Sequence, residues 1–467
     1  MPPGRKPHSA PVAPPPGHAA HRLVSVLLGL FLGLCLLKFG NPPIMEKYVT
    51  PPGNIYELLL GFPWPITWAY LGLAVVLVLG WRAARWELPP PRWLALLPFF
   101  WLGWQVLAQM DSVQPVLSVA TVRHFIACVG CYALGLFCLA PHGPLRAGFL
   151  AGLTAGIVLA VITGWEQHFG GLEASRKYFF QYLYPELKDV PPEYLKKISS
   201  DRIFATLFYP NTLAGALLLV YPPALWFIWS LGGQGRMTLP ARATLLALVA
   251  VGGLACLYWS GSKGGWLIAL VLGLFALQRS RLSRQLRTSL VLGVLALGLA
   301  GFFWKYAGFF EKGATSVGAR FDYWRAAVKT ACDHPFLGTG PGTFALAYEK
   351  IKRPESEMAR LVHNDYLEQA SDSGWLGFLL YSAFIAGSLL VAWRRMAGPD
   401  PLVMDSVAGQ RFAVWLGVFA WALQSLIEFG LYIPALAWPA LLLLGWLLGQ
   451  SPTPGGLAET NRQPALG

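Results

Sequence analysis

The sequence predicts an all-α polytopic membrane protein of about 12 transmembrane helices, and three observations carry that expectation. The 467 residues are 55% hydrophobic and only 13% charged, whereas soluble domains are nearer a quarter charged. Apolar runs of roughly 17–25 residues, long enough to cross a bilayer, recur along the whole chain. Lys and Arg collect in alternate short connections, as they do in the cytoplasmic loops of membrane proteins. A β-barrel would need short segments of alternating polarity instead, and these are absent.

In chain order the runs lie near 22–38, 64–81, 92–109, 116–140, 145–164, 207–230, 242–259, 262–278, 288–304, 374–393, 411–429 and 432–449. The second is interrupted by Pro63 and Pro65, and the eighth is short. The stretch 1–21, "MPPGRKPHSAPVAPPPGHAAH", is Pro-rich and polar and reads as a disordered cytoplasmic tail. No small-residue cleavage site follows the first apolar run, so it reads as an uncleaved span. With the N-terminus inside, the inner connections hold Arg82, Arg85, Arg92, Arg146, Arg236, Arg242, Arg279, Arg281, Arg284, Arg287, Arg394, Arg395 and Arg411. The outer turns 110–115 and 430–431 carry no Lys or Arg. An even number of spans follows, with both termini cytoplasmic and a short tail over 450–467.

The net charge of +13 is accounted for by this orientation. The excess lies in the cytoplasmic segments, and positive and negative residues balance in the rest of the chain, so nucleic-acid binding gains no support. Cys128 and Cys131 form a C-x-x-C inside the fourth span, where a thiol behaves as a small hydrophobe. Cys332 is the one thiol of an outer loop, and no disulfide framework is expected.

Two long outer connections break the pattern, 165–206 between the spans of 22–164 and those of 207–304, and 305–373 before the spans of 374–449. Connections of this length are functional or disordered. Trp, Tyr, Phe and Pro throughout, as in "RKYFFQYLYPELKDVPPEYLKK", favour order. The cytoplasmic side carries no G-x-x-x-x-G-K-[ST] phosphate loop and no H-E-x-x-H or other metal-spaced cluster. "SGSKGG" at 260–265 resembles a nucleophile elbow only faintly. Neither a cofactor nor a metal is expected.

Basic residues concentrate near the outer ends of spans. Arg123 falls inside the fourth span, Arg202 precedes the sixth in "SDRIFATLFYPN", Lys263 occupies the turn between the seventh and eighth, and Arg320 lies in the second long connection. Each can snorkel or pair with a carboxylate. Together they suit a multiply charged oxyanion, because guanidinium groups bind such groups through paired donors. A lipid-linked diphosphate has that character, with its tail lying along the spans. Gly338, Gly340 and Gly342 form a G-x-G-x-G that can offer backbone N–H groups to an anion, or can be an ordinary turn.

The stretch "ARLVHNDYLEQASDSGWLGFLLY" at 359–381 places a histidine and three carboxylates directly before an apolar run. His363, Leu367, Ala370 and Gly374 follow helical spacing, and Asp365, Glu368 and Asp372 point elsewhere. A neutral His363 can accept a proton from a hydroxyl. It can also be a structural histidine at a helix start. Glu428, near the outer end of the eleventh span, is a further candidate because carboxylates at that depth are costly, and it can simply pair with an arginine.

"RIFATLFYPNTLAG", "GARFDYWRAAVKTACDHPFLGTGPGTF", "HNDYLEQASDSGWLG" and "SLIEFGLYIPALAW" occur in that order. Together they resemble the O-antigen ligase superfamily of bacterial envelope glycosyltransferases, which includes O-antigen polymerases and O-linked protein oligosaccharyltransferases. The resemblance covers about 200–440 and extends to the N-terminal spans by topology alone. It implies a GT-C-like, metal-independent, inverting transferase of the inner membrane with a periplasmic site. The donor it implies is a glycan on undecaprenyl diphosphate, and the acceptor is lipid A core, a second lipid-linked glycan, or protein. Carried over by motif, His363, Arg320 and Arg202 are the catalytic candidates. Arg123, Lys263, Asn211, Gly340, Asn364 and Glu428 are the substrate-binding ones. Lys263 stands where the family's "S-R-G" turn has arginine, which puts a bidentate role there in doubt. The ligase label is favoured over polymerase because one dominant outer connection precedes the histidine motif. A transporter or flippase is the alternative of another class, but it would show internal repeats and midplane polar groups, and neither is evident.

Overall fold

The computed structural model describes residues 18–450 except 62, 187–194, 196–197, 232–236, 281, 312–314, 355 and 397–406. The expected tails, part of 165–206, and Arg236 and Arg281 of the basic loops lie outside the described residues. Among those described, all regular structure is helical. The helices are α1 (His18–Lys38), α2 (Ile55–Leu60), α3 (Ile66–Trp81), α4 (Arg92–Met110), α5 (Pro115–Ala133), α6 (Ala147–Glu166), α7 (Leu172–Tyr178) and α8 (Pro210–Ser230). They continue with α9 (Leu239–Trp259), α10 (Lys263–Gln278), α11 (Arg284–Glu311), α12 (Thr315–Asp333), α13 (Phe344–Ile351), α14 (Asp365–Met396), α15 (Val407–Gln424) and α16 (Pro434–Gly449).

Each apolar run of the sequence coincides with one of these helices. Eight described segments are long and apolar enough to cross a membrane, whereas α3, α10 and α16 are apolar but shorter. Sixteen residues rise about 24 Å at 1.5 Å per residue, less than the roughly 30 Å of hydrocarbon. For α16 the shortfall fits its place, since Pro434 to Leu448 are all buried within the protein. A helix apolar on every side belongs in such a core. The opposite case is α11, whose apolar window is not buried at all, with Leu292 and Leu297 62% and 77% exposed. Such a surface suits lipid contact.

Close helix crossings depend on missing side chains. Gly29 and Gly33 of α1 face Gly152 and Gly156 of α6, and a Cβ at any of the four would run into the other helix's backbone. This small-xxx-small pattern on both partners lets backbones approach where lipid supplies no hydrophobic drive to associate.

The long connection 305–373 is folded. Its helices α12 and α13 enclose a satellite core of Tyr323, Ala326, Ala327, Phe344, Tyr348, Ala359 and Val362. This core sits against the start of α14 and brings Tyr323 onto His363, with ring centroids 5.8 Å apart. The helix α14 is broken at Ser373 and Gly374, where φ of Gly374 is +70°. Trp375 then restarts it by donating its N–H to the Pro335 carbonyl at 3.0 Å. A side chain at Gly374 would meet the Phe336 carbonyl, so glycine is required there for space as well as for conformation.

Gly33→Leu should separate α1 from α6 and lower the melting temperature of the detergent-solubilised protein, since overpacking of this kind costs about 1–3 kcal/mol. Gly103→Leu, where no atom lies within 4 Å of a built Cβ, should leave it unchanged.

Candidate active site

Four separated stretches of chain meet at one carboxylate. Helix α15 ends at Gln424, and the turn that follows carries Glu428, which is 8% exposed. Its Oε1 accepts from Asn211 Nδ2 at 2.5 Å and from Arg320 Nη2. Its Oε2 lies 3.1 Å from His363 Nδ1. Arg202 joins through Asn211, donating from Nη2 to its Oδ1 at 2.8 Å, and from Nε to the Ser260 carbonyl at 2.7 Å. Arg320 also donates from Nε to the Ile427 carbonyl at 3.0 Å. Lys263, the first residue of α10, lies within electrostatic reach of both arginines.

Local structure explains why these groups hold still. Asn211 is in the first turn of α8, and Gln424 Nε2 donates to its carbonyl at 2.7 Å. Buried Gln167 clamps the loop after Arg202: Oε1 accepts from Phe204 N and Ala205 N at 3.0 and 2.8 Å, and Nε2 donates to the Ala205 carbonyl at 2.9 Å. Before Arg202, Arg176 donates to the Ile198 and Ser200 carbonyls and pairs with Asp201. The turn 260–262, with Gly261 at φ +60°, presents the Ser260 carbonyl to Arg202.

His363 adopts φ +55°, an uncommon conformation for a residue with a Cβ and one found where surrounding structure enforces it. Its ring lies between Tyr323 and Phe429, the latter 4.8 Å away edge-on. Trp324 Nε1 donates to its carbonyl at 3.4 Å. With Nδ1 turned to Glu428, a neutral imidazole donating from Nδ1 has its acceptor at Nε2. Burial alone would raise the Glu428 carboxyl. The charges and hydrogen bonds of His363 and Arg320 outweigh burial and hold it below the usual carboxylate range.

The three carboxylates of the 359–381 stretch, which the sequence places at the water-facing membrane surface, are fully buried. Asp365 Oδ2 accepts the Leu431 N–H at 2.8 Å, Glu368 Oε2 the Val362 N–H at 3.1 Å, and Asp372 Oδ2 the Gly342 N–H at 2.6 Å. Positions 365, 368 and 372 share one helix face. Each carboxylate therefore ties a different loop to the first turns of α14. The G-x-G-x-G segment has all three glycines at positive φ. Its N–H groups are already committed, Gly340 donating to the Asp372 carbonyl at 2.9 Å and Gly342 to the Asp372 carboxyl.

Arg202, Asn211, Lys263, Arg320, His363 and Glu428 are brought together. Asn364 caps α14, its Oδ1 accepting from Leu367 N at 3.0 Å, and its side chain is used there. Arg123 is exposed on α5 and lies within electrostatic reach of Tyr70, with no contact to the cluster among the described residues. Sequence reasoning passed over Gln167, Tyr323, Phe429 and Lys305. Lys305, over the Tyr258 ring and donating to its carbonyl at 2.9 Å, extends the cationic group toward Lys263. Its position at the outer end of the ninth run was the only available signal.

A carboxyl held low in the folded state stabilises the fold above its unfolded pKa of about 4.3, and that contribution is lost as pH falls through the folded value. Glu428→Gln should therefore melt below wild type at pH 7, with the gap closing once pH drops under about 4.

No curated protein matches the chain. Residues 247–382 match the family model described as O-antigen ligase, a stretch that contains Lys263, Arg320 and His363 and stops short of Glu428. The match spans less than a third of the chain, and over that stretch the protein is similar to the O-antigen ligase family.

Proposed function

We propose that the protein transfers a glycan from undecaprenyl diphosphate to an acceptor hydroxyl at the periplasmic face of the bacterial inner membrane, in the manner of an O-antigen ligase. The observation that carries this reading is the convergence of Arg202, Arg320 and His363 on Glu428. It sets a proton acceptor beside guanidinium groups. Glycosyl transfer from a lipid diphosphate needs both, since a weak nucleophile must lose a proton while a leaving group gains charge.

In the proposed step the acceptor oxygen attacks the anomeric carbon and its proton passes to His363 Nε2. The bond from that carbon to the diphosphate breaks, and its electron pair leaves on the phosphate. The attack and departure are on opposite faces, so configuration inverts. Glu428 keeps the imidazole oriented and stabilises the imidazolium that forms. Arg202, Arg320 and Lys263 meet the charge that develops on the diphosphate, a contribution of fixed donors that is large in a water-poor site. The ring faces of Tyr323 and Phe429 restrict where the imidazole can turn. Lipid A core, lipid-linked glycan and protein hydroxyl are the acceptors to be separated, with lipid A core favoured by the single dominant connection 305–373.

Purified protein given an undecaprenyl-diphosphate glycan, with EDTA present, should label one of these acceptors when all three are offered. His363→Ala should slow transfer by about 10²–10⁴-fold and Arg320→Ala by about 10²–10³-fold, with membrane insertion intact. Unimpaired turnover by both variants would remove the catalytic assignment.

A further inference from the structure

The pair formed by His363 and Glu428 joins two segments that are far apart in sequence, and something must set their spacing. Helix α14 begins two residues after His363, and its first residue is Asp365. The backbone N–H of Asp365 donates to the Ser425 carbonyl at 2.8 Å, and its carboxylate accepts the Leu431 N–H at 2.8 Å. One residue therefore holds the turn 425–431 at both ends, and Glu428 sits in the middle of that turn. One helical turn on, Glu368 holds Val362, the residue before His363, at 3.1 Å. The two halves of the pair are thus hung from neighbouring positions on one helix face.

Asp365 makes no hydrogen bond or ion pair with His363 or the other members of the cluster among the described residues, although its carboxyl lies within electrostatic reach of Glu428. It is fully buried, and its carboxyl is held by the Leu431 backbone amide and the Ser425 side chain rather than by a cation. A buried carboxyl so held serves as an acceptor of fixed position. Its companion Asp372 does the same for Gly342, on a loop that carries neither His363 nor Glu428.

We infer that Asp365 is a positioning residue for the proposed transfer, acting through the 425–431 turn to hold Glu428 against His363. The inference rests on the transferase reading above. Its effect falls chiefly on the chemical step, because the turn it holds orients both the base, through Glu428, and the leaving-group cation Arg320, through Ile427 and Glu428, and fixed donors act most on charge that develops as the bond breaks. A misplacement of about 1 Å can cost on the order of 10²-fold in rate.

The experiment uses the full-length protein in detergent with an undecaprenyl-diphosphate glycan and the acceptor that wild type labels. Asp365→Ala should lower kcat by about 10²-fold with donor KM changed less than about threefold. Asp365→Asn keeps an acceptor for Leu431 N–H and should stay within about fivefold of wild type. In a Glu428→Ala background, Asp365→Ala should add less than about threefold, because both changes act on one element. A folded Asp365→Ala protein with wild-type kcat overturns the inference, as does a full additive loss in the Glu428→Ala background. Should the alanine variant fail to insert, Asp365→Asn and Asp365→Glu decide. The asparagine variant should remain active and the glutamate variant, its acceptor pushed out by one methylene, should be slower by about tenfold; equal rates overturn it. Absence of transfer by wild type would instead count against the transferase reading and is distinguishable from all of these.

Discussion

A single carboxylate, that of Glu428, is shared by an asparagine, an arginine and a histidine, and the geometry of the loop-bearing end follows from that sharing. A charge removed from water is costly unless it is paired and hydrogen-bonded. Glu428 meets that requirement with four protein groups on two oxygens when the Arg202–Asn211 relay is included. Each partner comes from a different element: the start of α8, the first turns of α12, and the residue before the cap of α14. Withdrawal of any one would leave a buried charge short of compensation, so the elements are bound to one another through it. Packing alone would let helices slide by fractions of a turn, but a shared carboxylate specifies distance and direction.

The same logic applies around it in rings. Gln167 fixes the loop that delivers Arg202, and Arg176 fixes what precedes it. The buried acids of α14 fix the turns that deliver His363, Glu428 and the glycine-rich segment. In each case a polar side chain satisfies backbone N–H or C=O groups that an irregular segment cannot pair with itself. Irregular backbone at membrane depth is tolerable only when such partners exist. The break at Ser373 and Gly374 lets one helix do two jobs, a polar anchor before the break and an apolar span after it.

Hydropathy located the helices because hydrocarbon imposes a length and an apolar composition that few other environments require. The brief runs at 64–81 and 262–278 are real helices whose shortness is equally plain in the structure. Arg202, Arg320 and His363 could be singled out because their residue types suit an oxyanion and a proton. What could not be read was the destination of a hydrogen bond. Asp365, Glu368 and Asp372 look water-facing in sequence, since an acid before an apolar run normally is, and only the fold reveals amides waiting for them. Gln167 has no sequence signature at all, because a buried amide clamp is defined by loops brought to it from elsewhere. Arg123 satisfied the same sequence criterion as the clustered cations. Helical phase puts it on the exposed side of α5, within electrostatic reach of Tyr70.

Lys263 extends the positive charge beside Glu428. It occupies the first position of α10, after the Ser262 cap whose Oγ accepts the Gly265 N–H at 3.2 Å. A cation there faces the positive end of the helix dipole, an arrangement unfavourable by about 0.3–1 kcal/mol. Arg202 and Arg320 act on it with the same sign, and Lys305 approaches from α11. Glu428 is the carboxylate among them and is occupied in orienting Asn211, Arg320 and His363. Like charges held close in this way repel one another, and under the proposed reading a multiply charged anion relieves that repulsion as it binds. In the proposed reaction the relief grows as the leaving diphosphate gains charge, so electrostatic work invested in folding is recovered at the step where the glycosyl bond breaks. A lysine suits this role where it would not suit a bidentate clasp, because a compact charge on a flexible stem can follow the phosphate as the bond lengthens.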